Sequence, residues 1–162
     1  MTISANPPSK VAPHPKRVLA IASGGGHWVQ LLRLRPAFEG HRVTYVTVRD
    51  SYRADIGDAR FRVVNDATRW DKIGLVKMAI RLAWILLRER PHVIISTGAA
   101  PGYFAIRLGK LMGARCVWLD SIANVEEISM TGRIVGKHAG LWLTQWSHLA
   151  RPEGPRFEGA VL

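Results

Sequence analysis

Apolar positions along the chain come in short runs broken by polar, glycine-bearing stretches, a pattern that predicts strands and helices in turn. The run Arg17-Val18-Leu19-Ala20-Ile21-Ala22 stops at Ser23-Gly24-Gly25-Gly26, and a helical pattern with Trp28, Leu31 and Leu32 follows before Pro36. His41 to Val48 is rich in β-branched residues and predicts a second strand; polar residues fill 49–60, and Phe61 to Val64 predicts a short third. Apolar residues recur at helical spacing from Trp70 to Arg90, Pro91 stops that helix, and His92 to Ser96 predicts a fourth strand. A second glycine loop, Thr97 to Gly102, precedes a helix over Tyr103 to Met112 with Gly113 as its C-cap. Arg115 to Leu119 is the fifth strand, 121–130 an irregular loop, Thr131 to Ala139 a short helix, Leu141 to Thr144 the sixth strand and Arg151 to Leu162 a tail. Strands alternating with helices predict an α/β fold, a Rossmann-like parallel sheet with helices on both faces.

Composition narrows the picture. A chain of 162 residues is enough for one α/β domain with a real core and too short for two. Pro7, Pro8, Pro13 and Pro15 crowd the first sixteen residues, which carry no apolar leader core, so 1–16 reads as a disordered Pro-rich tail and 17–162 as the folded domain. A lone cysteine, Cys116, excludes a disulfide framework, and its apolar neighbours point to a buried, inert thiol. The most apolar stretch is interrupted by Lys77, Arg81 and Arg88, which predicts a cytoplasmic or peripheral protein without a membrane span. Net charge is +11, with 17 arginines against 6 lysines, and such an excess favours phosphates or an anionic membrane surface. No helix-turn-helix, zinc or RNA-recognition signature accompanies it, so nucleic acid is not expected as a partner.

In an open parallel sheet, ligands bind beyond the carboxyl ends of the strands, where helix N-termini favour anions. Ser23, Gly24, Gly25 and Gly26 form one such loop; Thr97, Gly98, Ala99 and Ala100 form another, and the two together could hold a diphosphate. A tight turn without a ligand is the alternative reading of the first loop. Asp120 and Ser121, with Asn124, Glu126 and Glu127, make a polar cluster after the fifth strand. His27, opening the first helix, is the candidate general base, because imidazole exchanges protons near neutral pH; helix capping or phosphate binding is its alternative role. The other histidines have no metal-ligand spacing, and no metal site is expected. Position 29 is Val, where a dinucleotide fingerprint needs a small residue, which disfavours a nicotinamide cofactor; a small Rossmann oxidoreductase stays the alternative because Asp50 closes the second strand. Lys77, Arg81 and Arg88 lie on one stripe of the 70–90 helix with Trp70 and Trp84 beside it, as suits a helix at a membrane interface, or else a buried crossover helix with a thin exposed stripe. Trp118 and Trp142 fit core strands, while Trp146, past the last strand, is the candidate partner contact.

Ser23 to His27, Ser96 to Ala100, Asp120-Ser121, Ser129-Met130-Thr131-Gly132-Arg133 and Thr144-Gln145-Trp146, in this order, resemble one family. It contains bacterial PssD and CpsF and the eukaryotic Alg-fourteen subunit of the dolichol-pathway N-acetylglucosaminyltransferase. The resemblance runs from about Arg17 to Leu162 and implies the fold of the N-terminal domain of a GT-B glycosyltransferase, similar to the N-terminal half of MurG. It further implies an acceptor-binding subunit that receives a polyprenyl-diphosphate-linked sugar on the cytoplasmic face of a membrane. The UDP-sugar donor, the one nucleotide ligand expected, would sit on a small partner similar to PssE, CpsG or the Alg-thirteen subunit, without which transfer should not occur. Gly24, Gly25, Gly26, His27, Thr97, Gly98 and Ala99 would then face the acceptor. Asp120 stands where glutamate is common in PssD-like members and Gly140 where aspartate is frequent, and the membrane span of eukaryotic members has no counterpart.

Overall fold

The computed structural model describes residues 14–161, so the expected Pro-rich tail falls, at residues 1–13, outside the described residues. In chain order the elements are β1 (Arg17–Ile21), α1 (Gly26–Arg33), β2 (Arg42–Thr47), β3 (Arg60–Val63), α2 (Lys72–Glu89), β4 (Val93–Ser96), α3 (Ala99–Leu111), β5 (Arg115–Leu119), α4 (Met130–Val135), β6 (Leu141–Thr144) and β7 (Arg156–Phe157). All strand pairs are parallel, and the sheet order is β3-β2-β1-β4-β5-β6-β7. From β1 the chain steps outward to β2 and β3. It then crosses back through α2 to β4 on the other side of β1 and steps outward again. Since parallel crossovers are right-handed, this reversal puts α1 on one face of the sheet and α2, α3 and α4 on the other.

Alternation along each strand supplies both faces. Leu19, Ile21, Val46, Ile94, Cys116 and Trp118 pack under Met78, Leu82, Ile85 and Leu86 of α2, with Ala105 and Ile106 of α3 and Val135 of α4. Val18, Ala20, Tyr45 and Phe61 pack under Trp28 and Leu31 of α1, joined by Phe38 and Ile56 from short 3-10 turns. Burial pushes the Cys116 thiol up to about 11, with Lys110 pulling weakly the other way, so it is an inert core group at neutral pH.

Three differences from the sequence reading have physical causes. Helix α3 begins at Ala99, not Tyr103, so the second loop shrinks to Thr97 and Gly98; Pro101 lies in the first turn, where its missing N–H costs nothing. The tail contains a seventh strand, β7, which adds two residues to the edge of the sheet beside Leu143 and Thr144. Residues 50–56, read as loop, wind into a 3-10 turn that buries Ile56.

Candidate functional site

The strand order reverses between β1 and β4, and the crevice above their carboxyl ends is the topological switch point of the sheet. Both glycine loops open there. After β1, the Ser23 carbonyl accepts a hydrogen bond from Thr47 Oγ1 at 3.0 Å. Gly25 then takes φ 62 and ψ −135, a left-handed conformation that suits glycine, and caps α1 without help from any side chain. Its carbonyl accepts from the amides of Trp28 and Val29. The amides of Gly26 and His27, in the first turn, are left without intrahelical acceptors.

After β4, the buried Ser96 Oγ accepts from the Gly98 amide at 3.2 Å. Gly98 has φ 142 and ψ −178 and caps α3, and Ala99 follows at φ 64. A non-glycine residue at positive φ stores on the order of 1–2 kcal/mol of strain, a cost that clusters at ligand sites.

A reciprocal pair of bonds joins the loops. His27 Nδ1 lies 2.8 Å from the Thr97 carbonyl oxygen, and Thr97 Oγ1 donates to the His27 carbonyl at 2.7 Å. A carbonyl oxygen only accepts, so the neutral imidazole carries its proton on Nδ1 and leaves the lone pair on Nε2. The ring is half-buried and lies flat against Gly98, where a Cβ would stand 2.5 Å from its Cε1. His27 thus presents one oriented lone pair, on Nε2, fixed by the loop across the switch point, with two helix N-termini beside it.

Two side chains that sequence reasoning passed over complete the rim. Tyr52 Oη accepts from the Gly25 amide at 2.9 Å, and its ring stacks on Trp28 at 5.1 Å between centroids. The exposed Arg49 runs beside Gly24, so close that a Cβ there would lie 3.2 Å from its Nε. Arg49 is the second residue past β2, the strand next to β1, and a cation just past a neighbouring strand end was the one signal available. Asp50 is exposed and pairs with Arg53 at 3.5 Å on the surface.

Asp120 is 2% exposed, and its carboxylate is spent within the chain: Oδ2 accepts from the Ser129 amide at 2.8 Å, and Oδ1 from Ser129 Oγ at 2.5 Å and Asn124 Nδ2 at 3.4 Å. Its carbonyl oxygen takes the side-chain amides of Gln30 and Gln145, both at 3.1 Å. Asp120 therefore pins the 121–129 segment against α1, while Ser121, half-buried beside it, accepts from the Ala123 amide at 3.3 Å. Glu126 is exposed and Glu127 pairs with Arg133 on the surface. Trp146 is half-buried and donates from Nε1 to the Ile122 carbonyl at 2.9 Å, bracing the same segment.

On the far face, α2 buries Met78, Leu82, Ile85 and Leu86 and turns a second apolar stripe outward. Ile73 is 72% exposed, Ile80 65% and Leu87 62%, with Val76 and Trp84 between them and Trp70 just ahead. Lys77, Arg81 and Arg88 flank this stripe, and the Arg81 and Arg88 guanidinium groups lie over the Trp84 ring at 5.1 and 5.6 Å. No helix among the described residues is long and apolar enough to cross a membrane.

The fold is a Rossmann-like α/β domain that resembles one half of a GT-B glycosyltransferase. No family model matches the sequence. The chain is similar to the UDP-N-acetylglucosamine transferase subunit ALG14 of Eremothecium gossypii, 25% identical over 181 residues that cover 91% of this chain and 81% of that one. The ALG14 subunit of Yarrowia lipolytica is 31% identical over 77 residues, 44% of this chain and 35% of that one. Among solved structures, MurG of Acinetobacter baumannii superposes with a TM-score of 0.72 at 11% identity over 90% of this chain; the chain spans only 46% of that protein's length.

Proposed function

We propose that this chain is the acceptor-binding subunit of a heteromeric glycosyltransferase that extends a polyprenyl-diphosphate-linked sugar from a UDP-sugar held by a small partner subunit. The observation that carries the reading is the bridge between His27 and Thr97: it fixes one lone pair, on Nε2, at the switch point between two helix N-termini. In this reading the amides of the 23–27 and 97–100 segments, with Arg49 at the rim, hold the acceptor diphosphate. His27 Nε2 accepts the proton of the attacking sugar hydroxyl as that oxygen bonds to C1 of the donor and the nucleotide diphosphate leaves. Similarity to ALG14 over nearly the whole chain supports a transferase subunit. Residues 17–162 act as one acceptor domain, Trp146 lies toward the partner, and the outer stripe of α2 rests on the anionic cytoplasmic face of a membrane.

The test is transfer by the complex reconstituted with its partner. His27→Ala should fold and assemble yet lose on the order of 10²-fold or more in turnover. Turnover near wild type removes His27 from the base role.

A further inference from the structure

The opposite end of the sheet carries chemistry that the transfer reaction does not use. Strands β1, β2, β3 and β5 each begin on arginine (Arg17, Arg42, Arg60 and Arg115), and His92 immediately precedes β4. Parallel pairing puts these first residues side by side: Arg17 is in register with Arg42, and Val93 with Arg115. The amino edge of the sheet is therefore a row of cations, separated from the glycine loops by the length of β1, about 16 Å. One buried carboxylate serves part of it: Glu89 at the end of α2 takes Arg60 at 3.0 Å and Arg62 at 2.8 Å. Arg17 lines a small cleft together with Glu89 on one side; on its other side, toward β4 and β5, the balance is different. A cleft of about 770 Å³ opens there between the C-terminal ends of α2 and α3, and among the described residues no aspartate or glutamate lines it.

Lys16, Arg17, Arg90, His92 and Arg115 supply the polar wall of this cleft. Two local bonds set its donors. Arg17 Nε donates to the Arg90 carbonyl at 2.7 Å, which draws the two chain segments together. The Arg17 amide donates to His92 Nδ1 at 3.0 Å, so the neutral His92 ring keeps its proton on Nε2. The remaining wall is apolar: Leu86, Leu87 and Met112 line it. Leu87 also ends the exposed stripe of α2, and Leu111, 85% exposed, stands next to Met112 at the end of α3. The cleft thus joins a cationic floor to an outward apolar surface that runs the length of α2, about 27 Å.

We propose that this cleft is a second phosphate site, which takes the phosphodiester of an anionic membrane phospholipid with its acyl chains lying over Leu87 and Met112. A phosphate is matched by several cations in a cleft whose described lining holds no carboxylate. The apolar rim matches a lipid and has no counterpart need in a free phosphate or a nucleic-acid backbone. The inference rests on the reading of α2 as a membrane-facing helix and adds a discrete, saturable ligand to it. With one contact at each end of α2, the helix would lie in the plane of the interface, with the glycine loops at one end and this cleft at the other.

The probe is dihexanoyl phosphatidylglycerol at concentrations where it stays monomeric, titrated into the full chain by calorimetry or NMR. Saturable one-to-one binding is expected, with dihexanoyl phosphatidylcholine and inorganic phosphate each weaker by about tenfold or more. Lys16→Glu with Arg115→Glu should abolish it; both side chains are exposed and form no hydrogen bond among the described residues, and an unchanged melting temperature would show that the fold is kept. Lys77→Glu with Arg81→Glu should leave it intact while weakening attachment to vesicles. Binding that survives Lys16→Glu with Arg115→Glu, that never saturates, or that inorganic phosphate or duplex DNA matches, overturns the proposal. Wild-type indifference to phosphatidylglycerol vesicles, with the monomeric lipid still bound, would overturn the membrane reading of α2 and leave the cleft standing.

Discussion

Gly98→Ala is the substitution to which the candidate site should be most sensitive, although it adds only one methyl group. Residue 98 holds φ 142 and ψ −178, a region essentially reserved for glycine, so alanine there is strained by about 1–3 kcal/mol. The new Cβ would stand 2.5 Å from Cε1 and 2.6 Å from Nδ1 of His27. Carbon contacts relax near 3.5–4.0 Å, so the ring must withdraw by roughly 1 Å. That movement gives up the 2.8 Å bond to the Thr97 carbonyl, worth about 1 kcal/mol. Denaturant unfolding should therefore show a loss of about 2–4 kcal/mol. Turnover of the reconstituted complex should fall by about 10²-fold, the usual cost of misplacing a reacting group by this distance. A double-mutant cycle isolates the contact. In a His27→Ala background the methyl group meets no ring, so Gly98→Ala should cost only the backbone part, with a coupling energy of about 1 kcal/mol. Equal destabilisation in both backgrounds, or wild-type turnover of Gly98→Ala, would refute the ring-on-glycine packing.

Lys77→Glu with Arg81→Glu should release the protein from phosphatidylglycerol vesicles in sedimentation without lowering its melting temperature, since both side chains are exposed; retained binding counts against α2 as the contact. The purified chain alone should show neither UDP-sugar binding by calorimetry nor transfer, and both should appear when the partner is added; transfer by the isolated chain ends the two-subunit reading. Burial pushes the Glu89 carboxyl up, but hydrogen bonds from Arg60, Arg62 and Thr44 outweigh it and hold the group below the ordinary carboxylate range. A depressed value contributes stability above the ordinary carboxylate range that is lost as pH falls through the depressed folded value, so Glu89→Gln should lower the melting temperature at pH 7 and approach wild type only in acid below the ordinary carboxylate range. A gap that stays constant with pH would mean that packing and not charge accounts for it.

The sheet was legible because its parallel strands are buried on both faces and read as continuous apolar runs, each closed by a polar or glycine signal. Residues 17–21, 115–119 and 141–144 show this within a residue. The start of α3 was hidden because Gly98, Pro101 and Gly102 look like loop punctuation, whereas Pro101 occupies the first turn and Gly102 makes room for Ser96 beneath it. β7 was hidden because Arg156 and Phe157 are exposed edge residues without periodicity. For α2 the period was correct, but the helix carries apolar residues on two faces, and only the packing of Met78, Leu82 and Leu86 decides which face turns inward. The place of both glycine loops, directly after strands at the switch point, could be read from the sequence. The imidazole tautomer could not, since it depends on a carbonyl 70 residues away. Arg49 and Tyr52 reach the loop by tertiary contact alone.

Helix α1 is among the first elements in the chain, yet the side chains that tie it down reach forward in sequence. His27 is oriented by Thr97, Gln30 by Asp120 and Ile122, and Arg33 by the carbonyl of Val161. These bonds span 70 to 128 residues, and the later ones form only after the opposite edge of the sheet is in place. On the ribosome, the proposed base therefore emerges early and acquires its setting late. A nascent chain stalled before β6 would carry His27 on a helix lacking its tie to Val161, so competence at the site is coupled to completion of the domain.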